Sequence, residues 1–351
     1  MSKYPLKKPL LSPAGLLEKE LVTSEVQQDL KKVTDKYAMR ITPNVLSAIE
    51  EMTYEDPVFK QYVPDMKELN FSNDEGLDPV SDEKYSPLKG IVHRHKDRVL
   101  LKIIHICPVY CRFCFRREYV GPQGDMLTEP EVDMALNYIR SHKDIWEVIL
   151  TGGDPLMLSS RKLLKLFRAL HEINHIGVIR IHSRVPVADP DRIDTEKMNA
   201  IKGRKAVYLV IHCNHANELT SQSLEACGLF TDAGIPVLCE SVLLKGVNDN
   251  EEALENLMRK LVENRIKPYY LHHLDKAKGT GHFRVVLEKG QKLVKKLLKN
   301  ASGLCQPTYV LDIPGGYGKV PVHATHIKRK KNREWSLKDA DDNHHNYTES
   351  E

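Results

Sequence analysis

The stretch RVLLKIIHICPVYCRFCFRRE, residues 98 to 118, runs from an apolar segment into a loop with three cysteines, Cys107, Cys111 and Cys114. Arg112, Arg116 and Arg117 stand among and after them. Residues 98–106 read as a buried strand, so the three thiols lie at its C-terminal end. A structural zinc site wants four ligands, and no second pair of Cys or His follows at finger-like spacing. Cys213, Cys227, Cys239 and Cys305 are scattered singly, mostly within apolar segments, and read as buried small apolar residues. A redox pair would use Cys111 and Cys114 and leave Cys107 unexplained. A metal cluster with three protein thiolates and one open iron accounts for all three.

Outward from this stretch one pattern repeats. Short β-branched runs at 146–151, 178–183, 206–213, 236–244 and 267–274 alternate with amphipathic segments at 129–142, 160–173, 194–201, 221–234 and 250–265. Near-continuous apolar strands alternating with helices predict a parallel sheet covered by helices. Six such βα units are too few for a closed eight-stranded barrel and suit a partial barrel or a doubly wound sheet. In either case the chemistry belongs at the C-terminal strand ends, and polar residues collect there. Cys107 follows the first strand, Gly152-Gly153-Asp154 the second, Ser183 and Arg184 the third. His212, Asn214, His215 and Asn217 stand at the fourth, Glu240 and Ser241 at the fifth, Asp275 at the sixth.

The flanks read differently. Residues 1–90 are helical and polar, with Ser24 and Gln27 placed as a capping box and Thr42 as the cap before Pro43. Residues 65–90 have loop chemistry and are expected at the surface. The tail, 328–351, is a basic run followed by an acidic one without apolar periodicity, and is expected to be disordered. The 351 residues are 41% apolar and 28% charged, ordinary for a soluble enzyme. No window reaches the ~18 apolar residues of a membrane span. A net charge of +4 is too weak to argue for nucleic acid. Seven cysteines with no signal peptide at the N-terminus imply a reducing cytoplasm, not a disulfide framework.

A second constellation is YVLDIPGGYGKVPV, which holds Asp312, Gly315, Gly316, Gly318 and Lys319. Glycines allow close backbone approach to a ligand. The lysine alone leaves three readings open: a solvated surface group, a phosphate cradle without the usual G-x4-G-K-[ST] spacing, or a Schiff-base lysine for pyridoxal phosphate (PLP).

Nine runs carry a resemblance to a known family over roughly residues 35–325. They are ITPNVLSAI, HRHKDRVLL, CPVYCRFCFRR, TGGDPLM, IHSRVPV, NHANE, SVLLKGVND, PYYLHHLDKAKGTGHFR and LDIPGGYGKVPV. In content and order they resemble the lysine 2,3-aminomutase family of radical S-adenosylmethionine (SAM) enzymes. The C-x3-C-x2-C spacing, with Phe113 before the last cysteine, is similar to the cluster motif of that superfamily. The resemblance implies a partial (βα)6 TIM-like barrel at 91–290, an N-terminal helical extension at 1–90 and a C-terminal segment at 291–327 carrying the PLP lysine. It implies a [4Fe–4S] cluster on Cys107, Cys111 and Cys114, with SAM on the open iron, and PLP on Lys319. It places Arg116 on the substrate α-carboxylate, and Asp275 and Asp312 on the distal ammonium of L-lysine. Asp154, Ser183, His212 and Glu240 are implied for SAM, and Arg94 for the PLP phosphate. The implied reaction moves nitrogen from C2 to C3 of lysine after hydrogen abstraction from C3, giving β-lysine. A low-potential donor such as flavodoxin or ferredoxin, and a homo-oligomer, go with it.

Three positions depart from the family pattern. Glu240 replaces a glutamine, and Tyr317 interrupts a glycine run and would be costly at positive φ. Asn250 stands where the longer members have a cysteine, so their intersubunit zinc is not expected here. The short length is similar to the branch that makes β-lysine for elongation factor P, where the reaction is the same. Further alternatives are an aminomutase acting on another amino acid, a radical SAM enzyme of other chemistry without PLP, and a non-catalytic iron–sulfur or metal-binding module.

Overall fold

The computed structural model describes residues 8–122, 124–323, 326–330, 334–339 and 341–348. The expectations for residues 1–7, and for parts of the tail, fall outside this range.

Nine strands form one sheet in chain order: β1 (Ile91–His95), β2 (Arg98–Ile104), β3 (Glu147–Gly152), β4 (Val178–Ser183), β5 (Ala206–His212), β6 (Val237–Leu243), β7 (Ile266–His273), β8 (Thr308–Asp312) and β9 (Lys319–Pro321). From β2 to β8 every pairing is parallel. β1 and β9 pair antiparallel at the two edges. The partial barrel is therefore borne out with one strand more than the six expected, since β8 extends it. The lysine segment is an edge strand of the same sheet and not a separate appendage.

The covering helices follow from periodicity and caps. In Ser160–His171 the buried Leu163, Leu166, Phe167 and Leu170 recur at i, i+3, i+4 and i+7. Each such side chain contributes about 1.5–3 kcal/mol on burial. Thr128 and Glu131 close a capping box on Glu129–Ser141, with Pro130 in its first turn. Asn250 caps Glu251–Glu263 by accepting from Ala253 N–H at 2.9 Å, which is the work asparagine does at that position.

Strand alternation divides the side chains. Val99, Leu101, Val148, Leu150, Ile179, Ile181, Leu209 and Ile211 join the helix-covered core. The alternate residues, including Lys102, His182, His212, Glu240, His272 and Asp312, face the lumen. A closed barrel fills this space with branched aliphatics. Here the upper layer is polar, so the lumen is a site.

The N-terminal extension packs as a second core of Leu16, Leu30, Ile41, Leu46, Phe59 and Tyr62, joined by Val109 of the cysteine loop. Thr42 caps Pro43–Ser47 as expected, but the cap of Ser24–Thr34 is Thr23 and not Ser24. With Val26 at the third position no capping box can form there. Residues 65–90 are not simply surface: Glu68 is 0% exposed and Asp82 is 7% exposed. The tail also differs from expectation. Its described residues form an antiparallel meander, β10 (Ile327–Arg329), β11 (Glu334–Lys338) and β12 (His344–Thr348). Cross-strand pairs such as Trp335 with Tyr347 order a segment whose charge runs and lack of apolar periodicity suggested none.

Candidate active site

The cysteine loop is gripped by the N-terminal extension. Arg112 donates its backbone N–H to the Gln61 carbonyl at 2.8 Å. Its guanidinium forks onto Glu68, Nε to Oε1 at 2.9 Å and Nη2 to Oε2 at 2.6 Å, and donates to the Ala38 carbonyl at 2.8 Å. Arg117 shares Glu68 and lies 3.7 Å from the Tyr37 ring centroid. Burial works against the Glu68 charge, yet the two guanidiniums hold its carboxyl below the usual range.

Arg184, at the end of β4, approaches the thiols from the other side. It donates to Cys111 Sγ at 3.3 Å, to Glu218 Oε2 at 2.7 Å and to the Tyr62 hydroxyl at 2.8 Å. Asp154 shapes the turn that delivers it. One Asp154 oxygen accepts from the Ser183 hydroxyl (2.7 Å) and Leu156 N–H (3.0 Å); the other accepts from Arg184 N–H (2.6 Å) and Val185 N–H (3.0 Å). Burial pushes its carboxyl up to about 6 against these four donors.

All seven cysteines are free. Burial pushes the Cys107 thiol far up and Cys111 up to about 11, with mutual repulsion among the three adding to it. Three thiolates so placed need a multiply charged metal centre. Among the described residues, the His, Cys, Asp and Glu donors that close to within 4.8 Å are those of His182, His212 and Glu240. The three cysteine sulfurs do not all lie within that distance of one another. A single tetrahedral ion would draw them to about 3.8 Å, given metal–sulfur bonds of ~2.3 Å. The donor set fits a multi-iron cluster, with Arg184 placed to donate to one of its sulfurs.

Across the lumen three cations surround Asp82. Arg116 reaches its Oδ2 through Nε (3.2 Å) and Nη2 (2.9 Å), Lys102 lies at 3.6 Å and Arg94 at 3.5 Å. The cluster holds two positive charges in excess, the chemistry of a seat for further anions. The Arg94 Nε is buried without a hydrogen-bond partner, a donor left over for such an anion. These residues fit the phosphate and carboxylate that PLP and an amino acid would bring.

Beyond this seat stand the remaining predicted residues. Lys319 on β9 is the cross-strand partner of Asp312 on β8, Nζ to Oδ2 at 3.0 Å. His272 on β7 lies between Glu240 (3.3 Å) and Asp312 (3.8 Å). Burial, and repulsion from Asp312, push the Asp275 carboxyl up to about 6. Asp312 stays below its usual range despite burial, held by His272 and Lys319. Burial takes His212 down to about 4 and His182 well below its usual value, so both rings are neutral. The loop before Lys319 carries its positive φ at Gly315, Gly316 and Gly318. Tyr317 is not among the residues with positive φ, so the expected strain does not arise, and its ring is 74% exposed.

The lumen thus brings together Arg94, Arg116, His212, Glu240, Asp275, Asp312 and Lys319. Asp154 and Ser183 spend their polar atoms on each other and on the turn. Sequence reasoning overlooked Lys102, Asp82, Glu68 and His272, whose signal would have been a charged residue on the lumen phase of a strand or opposite an arginine cluster.

Residues 101–260 match the radical SAM superfamily. The chain is 40% identical over 306 residues to an L-lysine 2,3-aminomutase of Clostridium subterminale, covering 87% of this chain and 74% of that one. It is 41% identical to an L-lysine 2,3-aminomutase of Acetoanaerobium sticklandii, with the same coverage. A glutamate 2,3-aminomutase of Clostridioides difficile is 33% identical, covering 88% of this chain and 73% of that one.

Proposed function

The chain belongs to the lysine 2,3-aminomutase family of radical SAM enzymes, and from that premise we propose that it moves the α-amino group of L-lysine to C3, giving β-lysine. It is an isomerase, and its superfamily implies SAM and a [4Fe–4S] cluster. The proposal adds PLP on Lys319, a low-potential electron donor, and work in the reducing cytoplasm. Among the described residues no helix is long and apolar enough to cross a membrane.

The observation that carries the substrate is the pair Asp275 and Asp312 beside Lys319. With Lys319 given over to PLP and Arg116 to the substrate carboxylate, the two interacting carboxylates would keep His272 as their neighbouring cation. A diamino acid brings the missing cation at its distal end, whereas a glutamate side chain would add a third carboxylate. When bound, the cluster with SAM supplies the hydrogen-abstracting radical and PLP the π-system for nitrogen migration.

The protein's own part is placement. Arg116 offers a planar fork for the α-carboxylate and is held in orientation by Asp82. Arg94 and Lys102 complete the cationic wall for the phosphate. Asp275 and Asp312 fix the far end, so the substrate is held at both ends and C3 is presented in one orientation. The product then leaves as free β-lysine or goes on to modification of elongation factor P.

The test is anaerobic reconstitution with iron, sulfide, PLP, SAM and a reductant, offering isotopically labelled L-lysine, L-glutamate and L-alanine in parallel. Conversion of lysine alone to the β-amino acid, seen by mass spectrometry, is the expected result. SAM cleavage without isomerisation of any of them would overturn the substrate assignment and leave the cluster assignment standing.

A further inference from the structure

Glu240 is 7% exposed, and among the described residues no lysine or arginine forms an ion pair with it. Its neighbours are imidazoles: His272 Nε2 at 3.3 Å and His182 Nδ1 at 3.6 Å from the same oxygen. The other nitrogen of His272, Nδ1, lies 3.8 Å from Asp312 Oδ2, and among the described residues Nε2 makes no hydrogen bond, so both contacts are electrostatic. Asp312 in turn pairs with Lys319. A line of alternating charge therefore crosses β6, β7, β8 and β9.

Among the described residues, His272 is the lumen imidazole with ion-pair contacts to two carboxylates. Burial opposes its charge, but Asp312 and Glu240 together push it up to about 9. The groups facing it are Glu240 from β6, Asp312 from β8, Lys319 from β9, Asp275 beyond the end of β7 and His212 from β5. His212 is neutral, and Lys319 adds to burial in opposing a charge on the ring.

With PLP held on it, Lys319 would turn its Nζ to the cofactor and give up the ion pair with Asp312. A buried carboxylate left without a cation would take up a proton and stop attracting an ammonium. We propose that Glu240 and His272 are positioning residues: Glu240 keeps the His272 ring charged beside Asp312, so that Asp312 stays ionised and available to the distal ammonium when Lys319 no longer pairs with it. The consequence for substrate rests on the lysine reading above; the charge line itself does not.

The first readout uses the cofactor-free chain labelled with 13C-histidine, its His272 signal assigned by loss in His272→Gln. Glu240→Gln is isosteric and removes only the charge. The His272 ring is expected to titrate near pH 9 in the parent, and more than one pH unit lower in Glu240→Gln. The second readout is the KM for lysine against pH. In the parent it stays flat up to about pH 9; in Glu240→Gln it rises about tenfold from the lowered His272 midpoint upward, with kcat changed less. Glu240→Asp should restore part of the range, and borohydride trapping of PLP on Lys319 should be unaffected. A parent ring that titrates below pH 7, or one indifferent to Glu240→Gln, overturns the proposal whatever the activity. A shifted ring with an unshifted KM profile overturns the positioning role. A parent inert toward lysine would instead sink the substrate reading, while the ring titration still decides the charge line.

Discussion

Asp312 and Asp275 differ in what surrounds them, and that difference predicts separate behaviour. Asp312 has His272 and Lys319 within ion-pair reach, while Asp275 is half-buried with Asp312 as its strongest charged neighbour. Asp312→Asn removes a charged contact to the substrate ammonium worth about 1.5–3 kcal/mol. The expected result is a KM for lysine raised roughly ten- to a hundredfold, with PLP still trapped on Lys319. Asp275 governs the acid limb. Its carboxyl is charged above about pH 6 and protonated below it, so ammonium binding weakens as pH falls through that value. The kcat/KM profile for lysine should decline below about pH 6, and Asp275→Asn should flatten that limb as well as lowering the plateau.

The cysteine loop has no regular hydrogen-bonded ladder of its own, so neighbouring elements must supply its shape. Glu68, in the 3₁₀ turn Met66–Leu69, anchors it through Arg112 and Arg117. Glu68→Ala leaves two guanidiniums buried without their carboxylate, a loss of about 3–5 kcal/mol. Chemical denaturation should read that loss directly, and iron uptake on reconstitution should fall with it, although no cysteine has changed. By contrast Cys114→Ser should keep the stability of the cofactor-free chain within about 1 kcal/mol, since a conservative swap loses only a small soft side chain. It should abolish the charge-transfer absorption of the reconstituted cluster. The pair of variants separates holding the loop from ligating the metal.

At the scale of the molecule, the terminal meander touches the barrel through surface ion pairs, Lys295 with Asp342 and Lys299 with Asp341 on helix Leu287–Asn300. Such pairs contribute about 0–1 kcal/mol each. A chain ending at residue 326 should therefore fold with nearly unchanged denaturation midpoint and take up its cluster; a loss of several kcal/mol would show that the meander supports the barrel. Much of the barrel was legible before any coordinates, because β-branched runs and 3.6-residue periodicity are local properties. All six expected strands are present within a residue or two of their limits. β1, β8 and β9 were not legible, since each is short and finds its register only against a neighbour already in place. The candidate site divides the same way. The cysteine spacing could be read along the chain from residue type and interval, whereas Lys319, Asp275 and Asp312 took their roles from the family resemblance of the motifs around them. Which charges meet could not be read along the chain. Glu68 reaches Arg112 across 44 residues, Tyr62 reaches Glu218 across 156, and Glu240 finds His272 only because β6 and β7 lie side by side. Coulomb energy depends on separation and burial, and neither quantity exists until the chain has folded.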